Sequence, residues 1–168
     1  VTILNPDHLF DQADRLTVST AGPPRQVDLR RAISAAYYGV FHIVATAVAD
    51  QFVGAGRRST PEYALAYRRI DHKALKALCT DISAGRLSSK YKRFVPAIGF
   101  SDDLKTIAIA AVELQEKRID SDYNSLIWVK VSDVEALVAT PRDAAARFGR
   151  LSRDERRIFL CLLVFQPR

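Results

Sequence analysis

The chain has 168 residues, 48% of them hydrophobic, and a net charge of +6. That is enough for one domain with a real core, and the composition is that of a globular protein. The N-terminus, VTILNPDHLF, has no basic start, apolar core or small-residue cleavage site, so no secretory signal is read there. The longest wholly apolar run, IFLCLLVF at 158–165, is only eight residues, so no membrane span is expected.

In chain order, every strong periodic signal is helical. Asn5 is placed to cap a first helix, with Pro6 at its first position and Leu9, Phe10, Ala13 and Leu16 on one face to about residue 19. Gly22-Pro23-Pro24 breaks it. A long helix is then expected from about Pro24 to Phe52, ended by Gly54 and Gly56. Its segment Ala32–Ala49, AISAAYYGVFHIVATAVA, is 18 residues without Asp, Glu, Lys or Arg. At 100° per residue, Leu29, Ile33, Val40 and Val44 share one side, and Arg31, Tyr38 and His42 share the opposite side. A helix uncharged nearly all round is a central helix, and its Tyr and His must be hydrogen-bonded or face a cleft.

Residues 57–71 are ambiguous, although Thr60-Pro61 could open a short helix with Tyr63 and Tyr67 one turn apart. Asp71 caps a helix through Leu75, Leu78 and Ile82 that Gly85 closes. In 86–100, Pro96 and Gly99 exclude a long helix. Ser101 caps the next helix, with Asp102 and Asp103 in its first turn, running to about Tyr123. LIWVKV, 126–131, is the one candidate strand. Ser132 with Glu135 reads as a capping box for a helix to about Phe148, kinked at Pro141. Ser152 with Glu155 reads as another, for a last helix. The fold class expected is therefore all-α: one up-and-down bundle over 1–168 with an additional C-terminal helix. In that helix Leu160, Leu163 and Val164 would face the bundle, and Phe159, Leu162 and Phe165 would point outward, as a dimer or partner contact. The competing arrangement folds LIWVKV and helix 132–148 over both sides within one chain.

The positive charge is concentrated. Residues 57–93 hold ten basic groups against three acidic, which is the whole excess. Concentration supports an anionic partner, and Arg57, Arg58, Lys90, Lys92 and Arg93, with Tyr91 available to stack on a base, are the candidate nucleic-acid patch. Cys79 and Cys161 sit among apolar neighbours and read as reduced core thiols in a cytoplasmic protein. With three histidines and no Cys-x-x-Cys, neither a metal nor another cofactor is expected. Glycine-rich phosphate loops and hydrolase motifs are missing.

Two clusters carry the chemistry. One is Arg31, Tyr38 and His42. The other is RIDSDYN, 118–124, where Arg118 and Asp122 lie one turn apart. If their helices face each other, Arg118, Asp122, Tyr38 and His42 form one polar network.

At these residues the chain resembles a family. LRRAISAAYYGVFHIVA is similar to the Ala-Tyr-Tyr-x-x-Phe-His helix of small bacterial proteins of the HEPN superfamily. Asp71-His72 resembles that branch's second marker, ELQEKRIDSDYN its Arg-x-x-x-Asp-Tyr marker, and VSDVEALVATPRDAAARF its closing helix. The resemblance covers roughly 25–148 and leaves out 150–168. It implies a helical bundle, a homodimer and a nucleotidyltransferase partner in a toxin–antitoxin pair. It implies binding residues Arg31, Tyr38, His42, His72, Arg118, Asp122 and Tyr123. Many members are metal-independent ribonucleases with Arg, four to six residues, then His. Here no Arg precedes a His at that spacing. The expectation is thus a non-catalytic module binding RNA, nucleotide or a protein partner. The alternatives are a ribonuclease toxin with a rearranged Arg118/His42 site and a structural interaction subunit.

Overall fold

A computed structural model describes residues 4–18, 22–87 and 89–165. It is an all-α bundle: α1 (Pro6–Thr17), α2 (Gln26–Phe52), α3 (Pro61–Tyr67), α4 (His72–Ser83), α5 (Ser89–Lys92), α6 (Asp102–Tyr123), α7 (Val131–Arg150) and α8 (Arg153–Val164). A single turn of 3₁₀ helix, Ala55–Arg57, follows α2. The caps act as their side chains dictate. Asn5, Thr60, Asp71, Ser101 and Ser152 each accept a hydrogen bond from a first-turn amide.

α2 is the axle. It touches α1, α3, α6, α7 and α8, while α4 packs on α6 and α8. Small side chains let these neighbours approach; Ala32, Ala36, Ala45 and Ala49 are fully buried. Gly39 is the tightest point, where the Phe10 ring of α1 occupies the space a Cβ would need. By length and a mean hydropathy of 1.5, α2 is apolar enough to cross a membrane, contrary to the expectation from sequence. Two thirds of that stretch is instead buried against the other helices.

Three expectations are corrected. LIWVKV belongs to no strand among the described residues: Leu126 lies in a turn and Val131 already opens α7. Its backbone pairs with a side chain instead: the Gln26 amide donates to the Val129 carbonyl at 2.8 Å and its oxygen accepts from the Val129 N–H at 2.9 Å. The two bonds imitate one rung of a ladder, and no strand among the described residues extends it. α7 begins at Val131 with Lys130 as its cap residue, so Ser132 does not cap it. The helix continues past Pro141 to Arg150.

The third correction concerns α8. Phe159 and Leu162, expected outside, are buried, and only Phe165 is exposed. Phe148 at the end of α7 meets Phe159 edge-to-face with centroids 6.3 Å apart. The helix is further held by Glu155. Its amide is capped by Ser152, but its carboxylate accepts from the Ser101 amide at the start of α6, 2.6 Å away. The second capping box is therefore half formed, and its acid serves another helix.

A Gly39→Ala substitution should destabilise the bundle. The added methyl gains about 1 kcal/mol of helix propensity, but overpacking costs about 1–3 kcal/mol and the fully buried Phe10 ring has nowhere to swing. Urea unfolding of the two proteins measures it, and an equal or higher midpoint for the variant contradicts the close approach.

Candidate functional site

The two clusters meet between α2 and α6. The Arg118 Nη2 donates to the Tyr38 hydroxyl at 2.7 Å. Its Nε lies 2.8 Å from the Asp122 carboxylate, a charge contact without hydrogen-bond alignment. Asp122 in turn accepts from Ser34 Oγ on α2 at 2.5 Å. Both charged side chains are largely covered, 13% and 20% exposed. The guanidinium carbon lies 6.0, 5.3 and 5.5 Å from the ring centroids of Tyr37, Tyr38 and Tyr123. Three aromatic faces thus surround one cation.

Two histidines extend the network. His42 lies beside Tyr38 with nearly parallel rings, 6.1 Å between centroids, and His72 meets the same ring edge-on at 5.8 Å. Each imidazole has a tyrosine on Nδ1: Tyr67 on His42 at 2.6 Å, and Tyr37 on His72 at 2.7 Å. Gln115 fixes the other end of His72, donating to its carbonyl at 2.9 Å.

These contacts assign protons. Tyr37 is fully buried, and burial raises its pKa, so the hydroxyl keeps its proton. Burial likewise raises Tyr67. Burial lowers both imidazoles, His42 further through His72 and His72 further through the Arg118 guanidinium, so both are neutral at pH 7. A protonated phenol needs an acceptor, and the one recorded for each tyrosine among the described residues is Nδ1; with that assignment the tyrosine O–H donates and the histidine proton sits on Nε2.

Arg31 is not part of this network. It shares a helical face with Tyr38 and His42 but precedes His42 by about 16 Å along the axis, beside the last turn of α6, and it is exposed. It instead lines a cleft of about 470 Å³ with Gln26, Val27, Arg30, Ser121, Asp122 and Tyr123. Arg30 is occupied there, donating to the Ser121 and Asn124 carbonyls at the end of α6 at 2.6 and 2.7 Å. Arg31 has no ion-pair or hydrogen-bond partner among the described residues. Tyr123 is 73% exposed.

The basic segment is less uniform than its sequence. Arg58 is paired with Asp50 at 2.7 Å and Arg57 with Glu62 at 3.7 Å. Tyr91 is buried, so its ring is not available to stack on a base, which corrects that expectation. Lys92 and Arg93 are exposed, and the Lys90 side chain lies outside the described structure. Cys79 is buried and its thiol pushed up to about 12 by burial; Cys161 is half-buried. No group of three His, Cys, Asp or Glu side chains converges among the described residues.

Ser34, Tyr37, Tyr67 and Gln115 were not singled out from sequence. Tyr37 carried a signal, since it adjoins Tyr38 in the uncharged stretch Ala32–Ala49. Comparison with protein-family models, with curated proteins and with solved structures finds no match.

Removing Arg118 leaves Asp122 without its counter-charge in a covered site. Arg118→Ala should cost about 2–3 kcal/mol, the low end for a buried pair because both groups keep some exposure. An unchanged melting temperature would mark the pair as a surface contact.

Acid should weaken the fold through the histidines. Their folded pKa values lie below the unfolded value of about 6.5, so their contribution is full above that pH and is lost as pH falls through the folded values. Protonation also turns Nδ1 from acceptor to donor against a donating tyrosine. Urea midpoints at pH 7.5 and pH 5 should fall with acid, and less steeply in a His42→Gln/His72→Gln variant; equal slopes would locate the acid sensitivity elsewhere.

Proposed function

We propose that this chain is a HEPN-like module that binds a phosphate-bearing ligand, RNA or nucleotide, without cleaving it. The observation that carries the proposal is the cleft between α2 and α6. It places an unpaired guanidinium, Arg31, and an exposed ring, Tyr123, on one opening. A cation for phosphate and a face for a base are the two elements of sequence-tolerant nucleotide binding.

The histidines support binding over cleavage. A general base presents an unprotonated nitrogen to its substrate. Here the lone pair of each imidazole is taken by a tyrosine, and what remains is an N–H donor, suited to an anion. On the resemblance we infer a toxin–antitoxin pair with a nucleotidyltransferase partner, and on the two free thiols, Cys79 and Cys161, a cytoplasmic setting. Its homodimer rests on the resemblance alone, because Phe159 and Leu162 are used inside the chain.

The second reading, a ribonuclease with a rearranged site, has one observation in its favour. Arg118 touches Tyr38, and both histidine rings touch Tyr38 as well, so an arginine and two imidazoles stand together without the usual spacing.

Single-stranded RNA incubated with the purified protein tests both. The RNA should remain intact, and its binding should weaken between 50 and 200 mM salt as counterion release requires. Arg31→Ala and Tyr123→Ala should each weaken binding about tenfold, the scale of one stacked base or phosphate contact. Cleavage that disappears in His72→Ala or His42→Ala would establish the nuclease. No binding of RNA or of nucleotides would leave the structural subunit.

A further inference from the structure

The face of α8 away from the core carries a second site. Phe94, Arg157, Ile158, Cys161, Leu162 and Phe165 line a groove of about 270 Å³, the size of one large apolar side chain. Ile158 also lines a neighbouring hollow that reaches Ile98. Phe165 stands edge-to-face with Phe52, centroids 5.3 Å apart. Phe52, Phe94, Phe165 and Ile98 are 40%, 42%, 63% and 98% exposed. A contiguous exposed apolar strip of this kind marks an interaction surface.

Charge on the rim says what it fits. Arg157 lines the groove, and Arg153 lies one turn before it on the same helix. Arg93 adjoins the lining residue Phe94, its guanidinium 4.7 Å from that ring's centroid. Arg93 and Arg153 have no carboxylate partner among the described residues, and the acids at hand are both engaged: Asp154 with Arg157 at 3.1 Å, Glu155 with the Ser101 amide. We propose that this groove docks an acidic segment of a partner protein, with one aromatic or branched apolar side chain in the groove and carboxylates on Arg93, Arg153 and Arg157. An apolar hollow with three guanidinium groups at its rim, two of them without a carboxylate partner among the described residues and the third sharing only the exposed Asp154, selects that chemistry, through bidentate pairs at the rim and burial at the centre. A second copy of this chain would bring the same arginines against themselves, which like-charge juxtaposition opposes.

The probe is a labelled twelve-residue peptide with a Phe-Leu pair flanked by Asp and Glu, measured by fluorescence anisotropy against the full chain. A counterpart with Lys at every acidic position is the control. The acidic peptide should bind and the basic one should not. Arg93→Glu/Arg157→Glu should weaken binding about tenfold or more, Phe94→Ala should weaken it comparably, and Arg31→Ala should leave it unchanged, which separates this surface from the α2–α6 cleft. Circular dichroism of each variant confirms folding. The proposal is overturned if the acidic peptide does not bind, or binds the charge-reversed protein equally well. It also fails if the same variants abolish binding to phosphatidylserine vesicles while the peptide stays free, or if Phe165→Ala converts a stable dimer to monomer.

Discussion

A helix enclosed by its neighbours has no side to give to water, and that constraint on the middle of α2, Ala32–Ala49, governs the rest of the molecule. It requires small residues where other helices cross, hence the alanines and Gly39 under Phe10. It forbids charge over Ala32–Ala49. It also drives the polar groups on that stretch to partners on other elements, with the Thr46 hydroxyl the exception. Ser34, Tyr37, Tyr38 and His42 find theirs on α6, α4 and α3. The hydrogen bonds that solve a burial problem are the ones that assemble the polar site.

What could be read from the chain divides along the same line. The helix starts were legible because a cap is a local event, made within three residues by Asn5, Thr60, Asp71, Ser101 and Ser152. The central helix was legible because enclosure leaves a compositional trace. The meeting of Arg118 and Asp122 with Tyr38 was legible because Tyr38 sits on the uncharged stretch of α2 and the Arg118/Asp122 pair ends the apolar stripe of α6. By contrast, Gln26 holding Val129 spans 103 residues and Glu155 reaching Ser101 spans 54, and neither leaves a local signal. LIWVKV has the composition of a strand, but a strand is defined by a partner. Angle on the helical wheel grouped Arg31 with Tyr38 and His42; displacement along the axis separated it from them.

The polar site is ordered by hydroxyls rather than by carboxylates. In a hydrolytic triad an acid holds Nδ1–H and frees Nε2 to accept a proton. Here phenols reverse that polarity, and Arg118 together with burial keeps His72 neutral. The difference between a base and a donor at the same imidazole is set by what stands on its far nitrogen, which depends on Tyr37 and Tyr67 more than on the histidines themselves.

The reach of Glu155 to the first amide of α6 gives α8 a standing its position in the chain does not suggest. A segment that supplies the counter-group for another helix's exposed start is a keystone and not an appendage. Shortening the chain before Arg153 would strip the acid from Ser101 and uncover Phe148 in one stroke, so a truncated protein would report on its own disturbed packing. Questions of assembly are better put to this molecule by altering single side chains on its outer face.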